Sequence, residues 1–473
     1  MLLQLNLLDA AEMLCTDLRL PSSDVEYIMS RLNNEGIKFA TVTLPKLSKA
    51  LLASLEKGVF VRPTDFRWKG SSLFFMNSSL QLIFDKKGRV RKDASPDAIA
   101  LIRQVCDYFY KLAFDFSDER IKQAMDMFVE TDESVLGIPE VQKIKGFVDD
   151  MRKNFETYYP ETASLSVDDI LSFRPREGPG SFAKHSALTP TRYYIEKGLN
   201  ENKTSTQYKA YSGYFTSYPS QNKIKRDVGP DGVNRQVTKT RMTFVRDEER
   251  TSEVLFVPKD SRGPRVIARE PQFNLKAQMS YFDAVSSSLE RDSQNRINFK
   301  DQGVNQRLVV QSSVSISQYA TLDLKEGSDR ISYELVKELF RYCPGLTKTI
   351  LLTRSTHSLL PDGRVIPLRK LAGMGSGLTF PTMALIIHLA VATYIQQKTG
   401  LPYETVSKSV YVYGDDIIVP SWYYAEAQCA LELVGLSVNK EKSFRLSHFR
   451  ESCGVDCFNG VNVTPVRLKL SNA

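Results

Sequence analysis

Apolar side chains change their spacing several times along this chain, and each change marks a different kind of element. Over residues 95 to 114, "SPDAIALIRQVCDYFYKLAF", they recur at helical intervals behind Ser95 and Asp97, so a helix starting at one of those two residues is expected. Up to about residue 170 similar helical stretches alternate with short strand-like runs. Between 174 and 250 the periodicity disappears. The segment "ENKTSTQYKAYSGYFTSYPSQNKIKRDVGPDGVNRQ" is polar, with basic and aromatic residues interleaved, and predicts long loops or a mobile insertion. That mixture suits single-stranded nucleic acid, through phosphate neutralisation and base stacking, although a solvated loop accounts equally well for any single residue.

The last third is regular again. "SQYATLDL" (317 to 324) reads as a strand, and Ile331, Leu335, Val336, Leu339 and Phe340 then take helical spacing. The glycine-rich "LAGMGSGLTFPT" (371 to 382) leads into a largely buried helix, "PTMALIIHLAVATYIQQ". Val410–Val412 and Ile417–Val419 are short β-branched strands around Gly414, and "YYAEAQCALELVG" is a helix. The predicted order is strand, helix, glycine loop, helix, hairpin, helix, strand, with no internal repeat and no coiled coil.

The hairpin "YVYGDDIIVP" (411 to 420) presents Asp415 and Asp416 at its tip. Two carboxylates about 4 Å apart repel by roughly 4 kcal/mol at an effective dielectric near 20. A solvated turn is one explanation of the triplet; a divalent cation is the other. Asp323, at the end of the 317–324 strand, favours the second, because a strand-end acid and a hairpin-tip pair can meet on neighbouring strands of one sheet. Such a set can hold two Mg²⁺ ions about 3.5–4 Å apart for in-line attack on a nucleoside triphosphate. Three acids without histidine suit Mg²⁺, which prefers few carboxylates plus substrate phosphates. Asp329, six residues after Asp323, is by itself an ordinary acid at a helix start.

Other segments gain meaning from that set. Gly373, Gly375 and Gly377 free the backbone between the two acid elements to approach a ligand, with Ser376 and Thr379 supplying hydroxyls. "VPKDSRGPRVIARE" (257 to 270) spaces Lys259, Arg262, Arg265 and Arg269 along an extended segment, either as a solvated face or as a clamp on triphosphate charge. In "GLSVNKEKSF", Lys440 or Lys442 is placed to protonate leaving pyrophosphate, the other being a surface lysine.

Composition narrows the class. A chain of 473 residues with 42% hydrophobic side chains can build several interleaved subdomains. Its net charge of +8 and pI near 8.9, without a block of like charge, fit a basic groove better than a basic tail. Six cysteines form no disulfide framework and point to a reducing compartment. His448, Cys453 and Cys457 lack the second ligand pair that a structural zinc site needs. The start "MLLQLNLLDAAEMLC" has no basic n-region, so it is no signal peptide, and the run "MALIIHLAVA" is too short to span a bilayer. A soluble cytoplasmic protein is expected.

The runs "DLKEGSDRIS", "GMGSGLTF", "YGDDIIVP" and "FRESCG" resemble, in order and spacing, motifs A, B, C and E of RNA-directed RNA polymerases. The chain is similar to the replicase catalytic (beta) subunits of single-stranded RNA bacteriophages, the leviviral, phage Q-beta type. "VPKDSRGPRVIAREP" resembles motif F, "GLSVNKEKSF" motif D, and "FKDQGVNQRL" (299 to 308) a further stretch of these replicases. The likeness covers roughly 255 to 470 and does not extend by motif over residues 1 to 250.

That resemblance implies an α+β right hand of fingers, palm and thumb, with an antiparallel palm sheet packed on helices. Residues 1–250 would be the N-terminal region and fingers, including the insertion around 174–250. Residues 251–316 would be fingers carrying the basic nucleotide-access segment. Residues 317–460 would form the palm, with a small fingers insertion around 345–371, and 461–473 the start of a short, truncated thumb. Asp323, Asp415 and Asp416 would bind two Mg²⁺ ions, with Mn²⁺ able to substitute, and Lys442 would donate the proton. Lys259, Arg262, Arg265 and Arg269 would line the nucleotide path. Asp329 would read the ribose 2′-hydroxyl, with Ser376, Gly377 and Thr379 in the loop beside it. Arg450, Ser452, Cys453 and Gly454 would support the priming end. Implied partners are single-stranded RNA template and nascent RNA, ribonucleoside triphosphates, host translation elongation factors Tu and Ts, and a small-subunit ribosomal protein, in the cytoplasm of an infected bacterium. One departure stands out: no asparagine follows Ser376–Gly377 before Asn439, where many viral polymerases carry one a few residues on. Two rival readings are a catalytically impaired, polymerase-like RNA-binding subunit and a reverse transcriptase. Small residues between Asp323 and Asp329, where a bulky gate would exclude a 2′-hydroxyl, argue against the latter.

Overall fold

The structure, a computed structural model, describes residues 2–69, 72–112, 116–173, 224–228, 234–238, 250–260 and 263–468. At its centre lies the Thr379–Thr399 helix, whose apolar positions run right round the cylinder and are almost all buried. Gly400, at φ 72°, ends it by turning its N–H back to the Gln396 carbonyl at 2.9 Å. The helix outlasts the ten-residue apolar run that sequence alone marks out. With 21 residues and a mean hydropathy of 1.3 it is long and apolar enough to cross a membrane. However, 83% of that window is covered by protein, by the Lys145–Tyr158, Tyr403–Ser407 and Tyr424–Leu433 helices among others. Its one histidine is also committed internally. His388 Nδ1 bonds the Tyr159 hydroxyl at 2.8 Å, and burial holds its pKa down near 4, so it stays neutral.

Against this helix packs a three-stranded antiparallel sheet, Tyr411–Tyr413 beside Asp416–Pro420 beside Tyr319–Leu322. Period-two alternation buries both faces. Val412, Ile417 and Val419 join the central core, while Ile418 turns to Val309 and Cys457 on the other side. The predicted 317–324 strand is therefore two pieces. Tyr319–Leu322 pairs in this sheet, and Leu324–Lys325 pairs separately with Ser437–Val438. Asp323 sits at the fork.

A second sheet begins with the hairpin Thr251–Asp260 and Gly263–Arg269. The strand His357–Leu359 then adds in parallel to Thr251–Asp260, and Val365–Pro367 completes the edge. The basic segment is thus extended, as its pattern suggests, but folded back on itself.

The N-terminal region departs from expectation. The described residues between 2 and 173 are mainly helical, and the only strands among them are Trp68–Lys69 and Ser72–Leu73. The helix expected over 95–114 starts as predicted, with Ser95 accepting the Ala98 N–H at 3.2 Å, but ends at Asp107. Leu468 N–H takes the Tyr108 carbonyl just beyond. Within 174–250, Ile224–Val228 and Asn234–Thr238 pair as antiparallel strands rather than a loop; apart from Arg250, the rest of that predicted insertion lies outside the described residues. These helices are fastened to the C-terminal part by Glu56. Its carboxylate accepts the N–H groups of Arg445, Leu446 and Ser447 and the Ser447 hydroxyl, at 2.7–3.2 Å.

Candidate active site

The strand register builds the site. Ile417 pairs with Leu322, so the next positions towards the open edge, Asp416 and Asp323, lie side by side at the ends of antiparallel neighbours. Gly414 makes the tip possible twice over. Its φ of 63° is one that glycine adopts freely, and a Cβ there would meet the Phe380 ring at 2.3 Å. Asp415 is exposed at the turn, and Asp416 and Asp323 are partly covered.

The carboxylates feel one another. Burial, then the neighbouring charge of Asp415, pushes the Asp416 carboxyl up to about 6. Burial also raises Asp323, with Asp415 adding to the rise and Lys442 opposing it. Lys442 Nζ stands 3.6 Å from Asp323 Oδ2. Burial works against its charge, but Glu451, Asp323, Asp416 and Asp415 together hold its ammonium above the usual lysine range. Lys440, the alternative proton donor, is exposed.

Two residues that sequence reading passed over hold these acids in place. Asn439 donates from Nδ2 to Asp323 Oδ2 at 2.8 Å, and its own N–H takes the Asp323 carbonyl at 2.8 Å. Asn305 donates to the Ser452 hydroxyl at 3.2 Å, which in turn donates to Asp416 Oδ1 at 3.3 Å. The Cys453 N–H also donates to Asp416. Cys453 and Gly454, at φ 50° and 74°, form the tight turn of the hairpin Phe449–Ser452 and Val455–Phe458, so its tip meets the acid hairpin. Arg450 lies beneath that tip and is wholly buried. Its guanidinium donates to the carbonyls of Ile316, Tyr319, Arg445, Ser447 and Phe449 and reaches no surface. Cys457 packs against Val309 and Ile418, and His448 Nδ1 bonds the Ser313 carbonyl at 2.9 Å, so these two do not converge with Cys453.

The glycine loop answers first to its protein neighbours. A Cβ on Gly375, whose φ is 119°, would lie 2.4 Å from the Ala268 carbonyl, and one on Gly377 2.5 Å from that of Gln278. The loop is laced to the second sheet by the Ala268 N–H on the Met374 carbonyl at 2.7 Å. The hydroxyls turn inward as well. Ser376 donates to Gln278 Oε1 at 2.8 Å, and Thr379 donates to the Gly373 carbonyl at 3.2 Å. Gln278 Oε1 also accepts the Gly377 N–H, while its Nε2 donates to Thr353 O and to Glu270. Glu270 is fully buried, and burial pushes its carboxyl up to about 7. Replacing Gln278 by Met would leave the Ser376 hydroxyl, which would still accept the Leu378 N–H, without an acceptor for its own proton and the Gly377 N–H buried without a partner, at about 1–3 kcal/mol each. Hydrogen exchange over 373–378 is expected to speed up in that variant; unchanged protection would mean Gln278 does not hold the loop.

Of the basic residues, Arg265 is exposed, whereas Arg269 is ion-paired with Glu253, its cross-strand partner. The Lys259 side chain and the whole of Arg262 lie outside the described residues. Asp329 lies in a short 3₁₀ turn, Gly327–Arg330, where its Oδ1 accepts from Lys370 Nζ at 2.9 Å. The acids suit a hard divalent cation in charge and donor type, since the burial that raises Asp416 and Asp323 would be offset by positive charge between them. Among the described residues, however, no three His, Cys, Asp or Glu side chains form a ready-made metal cage.

Comparison with known proteins adds a family. The family described as "RNA replicase, beta-chain" matches residues 215–471. The RNA-directed RNA polymerase subunit beta of Enterobacteria phage SP is 37% identical over 226 residues, covering 47% of this chain and 37% of that protein. The corresponding subunit of Escherichia virus Qbeta is 35% identical over 220 residues, 46% of this chain and 35% of the relative. The beta chain of Escherichia phage MS2 is 32% identical over 216 residues, 46% and 37% respectively. The matched stretch thus spans little more than a third of the length of these relatives. Among solved structures, the RNA-dependent RNA polymerase of a human picorbirnavirus aligns over 76% of each chain, with a TM-score of 0.33 and 12% identity, too distant to bear on the argument.

Proposed function

This chain belongs to the RNA replicase beta-chain family, and on that premise we propose that it is the catalytic part of an RNA-directed RNA polymerase. It would join ribonucleotides on a single-stranded phage RNA template by two-metal-ion nucleotidyl transfer. The observation that carries this reading is the register that sets Asp416 beside Asp323, with Lys442 3.6 Å from the latter. The sheet bearing the acids is then the palm, and the sheet bearing the basic hairpin belongs to the fingers.

Asp323, Asp415 and Asp416 would hold the ions, Mg²⁺ by preference and Mn²⁺ as a substitute. Bound there, such ions sharpen the attacking hydroxyl and offset charge on the leaving oxygen. The chain's own residues do the rest. Asn439 and Ser452 hold the Asp323 and Asp416 carboxylates in one orientation, so little reorganisation is left for the reaction. Lys442 keeps its proton at neutral pH and stands to give it to departing pyrophosphate. Arg265, together with Lys259 and Arg262, would take up triphosphate charge, while Arg269 braces the hairpin through Glu253. Asp329 would read the ribose 2′-hydroxyl beside the loop of Ser376, Gly377 and Thr379. The turn Ser452–Gly454, braced from below by Arg450, would support the priming end. The partners are template and nascent RNA, with host elongation factors Tu and Ts and a small-subunit ribosomal protein, in the cytoplasm of an infected bacterium.

The test is incorporation of labelled ribonucleotides on a primed RNA template with Mg²⁺, comparing this chain with Asp415→Asn. A loss of at least about 100-fold is expected. Equal activity in the variant would sink the placement of the site. No incorporation by either chain, with RNA still bound, would favour the impaired RNA-binding subunit, and adding host elongation factors would separate that from dependence on partners.

A further inference from the structure

Lys370 is an unusual lysine. It is completely buried, which is costly for an ammonium unless it is paired and hydrogen-bonded. Its Nζ lies 2.9 Å from Asp329 Oδ1 and 3.4 Å from the centre of the Phe128 ring. Its backbone is clamped too, since Asp132 accepts the N–H groups of Arg369 and Lys370 at 3.0 and 3.1 Å. Phe128 and Asp132 both come from the Asp118–Glu133 helix, so a distant part of the chain is recruited to fix this one side chain. Lys370 also immediately precedes the glycine loop, and a Cβ on Gly373 would lie 3.8 Å from Asp329 Oδ1.

The other polar groups offered for the sugar are already engaged. The Ser376 hydroxyl donates to Gln278 and the Thr379 hydroxyl to Gly373. No asparagine follows the Ser376–Gly377 pair within the loop or its helix. Asp329 is different: Lys370 holds one carboxylate oxygen, and no hydrogen-bond partner for Oδ2 is found among the described residues.

We propose that Lys370 is the positioning residue for ribose recognition, its buried ammonium fixing Asp329 Oδ1 so that Oδ2 is presented to the 2′-hydroxyl of the incoming nucleotide. This rests on the polymerase reading above, in which Asp329 meets the sugar. Lys370 touches no substrate itself. A flexible carboxylate would pay for its ordering on each binding event; one locked by a buried charge does not.

The experiment measures preference for GTP over dGTP in two ways, as a ratio of kcat/KM in primed synthesis and as a ratio of equilibrium binding constants. Wild type is compared with Lys370→Gln, Lys370→Arg, Asp329→Asn and the Lys370→Gln/Asp329→Asn double variant, each checked for folding by circular dichroism. Lys370→Gln is expected to lower both ratios about 10-fold, mainly through KM for GTP. Lys370→Arg, which keeps the charge, should lose less. In the Asp329→Asn background, Lys370→Gln should cause no further loss, because the lysine acts only through that carboxylate. The double variant carries no unpaired buried charge, so it reports even if Lys370→Gln fails to fold, with Lys370→Arg then supplying the single-site comparison. Unchanged ratios in the folded Lys370 variants, or losses that add in the double variant, would overturn the proposal, as would equal binding of GTP and dGTP by wild type. If wild type makes no RNA even with host elongation factors added, but the binding ratios shift as stated, the polymerase reading falls and the role of Lys370 stands.

Discussion

Replacing Asp416 by asparagine is expected to abolish nucleotide incorporation and, in the same protein, to raise the melting temperature of the metal-free chain. The activity loss, at least about 1,000-fold, is what the proposed site requires, in which Asp416 is one of three acids that would hold the divalent ions. The stability gain follows from the sign of the pKa shift. Burial and Asp415 raise the Asp416 carboxyl from an ordinary 3.8 to about 6. Between those values the folded protein binds more protons than the unfolded chain, so stability falls as pH rises through that window. Above pH 6 the ionised side chain costs up to about 3 kcal/mol. Asparagine has no charge to bury, and its amide oxygen can still accept from Ser452 and the Cys453 N–H. The difference in unfolding free energy between variant and wild type should therefore be small near pH 4 and reach its full size above pH 6. Denaturation in the presence of a chelator, repeated at four or five pH values, measures it. A variant less stable than wild type at pH 7 would mean that Asp416 holds the fold together rather than straining it for function.

The second large effect concerns Arg450, and it is expected to be on stability alone. Its guanidinium is fully buried and donates to five backbone carbonyls drawn from residues 316–319 and 445–449. Burial lowers its pKa to about 10, which leaves it charged at neutral pH. Arg450→Met would remove an expensive buried charge, but it would also strand several carbonyls in the interior. The second effect dominates, because each orphaned acceptor costs about 1–3 kcal/mol. A net loss of about 4 kcal/mol or more is expected in chemical denaturation, with Arg450→Lys recovering little, since an ammonium cannot spread its donors over so many acceptors. The molecules that remain folded should bind primed RNA as wild type does. Wild-type stability combined with weakened primer binding would instead make Arg450 a direct contact and contradict its burial.

These two residues mark different limits of what a one-dimensional pattern conveys. Asp416 announces itself, because a paired acid between β-branched runs is a local anomaly that an uncharged core would not tolerate without a purpose. Arg450 looks like any arginine near a turn. Its burial depends on carbonyls more than 130 positions away, which leave no periodic trace beside it. Glycines mislead in a similar way. Gly375 and Gly377 read as room for a ligand, yet the atoms a Cβ would strike are the carbonyls of Ala268 and Gln278. A missing side chain records that something comes close, without recording what.

The helix Pro344–Thr353 and the strands His357–Leu359 and Val365–Pro367 interrupt the order of elements expected for the last third; what could be read from the chain directly was the acid hairpin, the strand-end Asp323, the glycine loop with its buried helix, and the lysine-bearing stretch after the final helix. All of these depend on spacing within ten or twenty residues, where helical and strand periods are written directly into the choice of apolar side chains. Packing of distant segments was needed for the break of the strand at Asp323, the joining of 251–269 with 357–367 in one sheet, and the commitment of Ser376 and Thr379 to the loop itself. It also decided the recruitment of Asn439, Gln278 and Lys370. Those outcomes come from which surfaces meet when distant segments pack. A polar side chain shows its partner only when burial has removed water as the alternative.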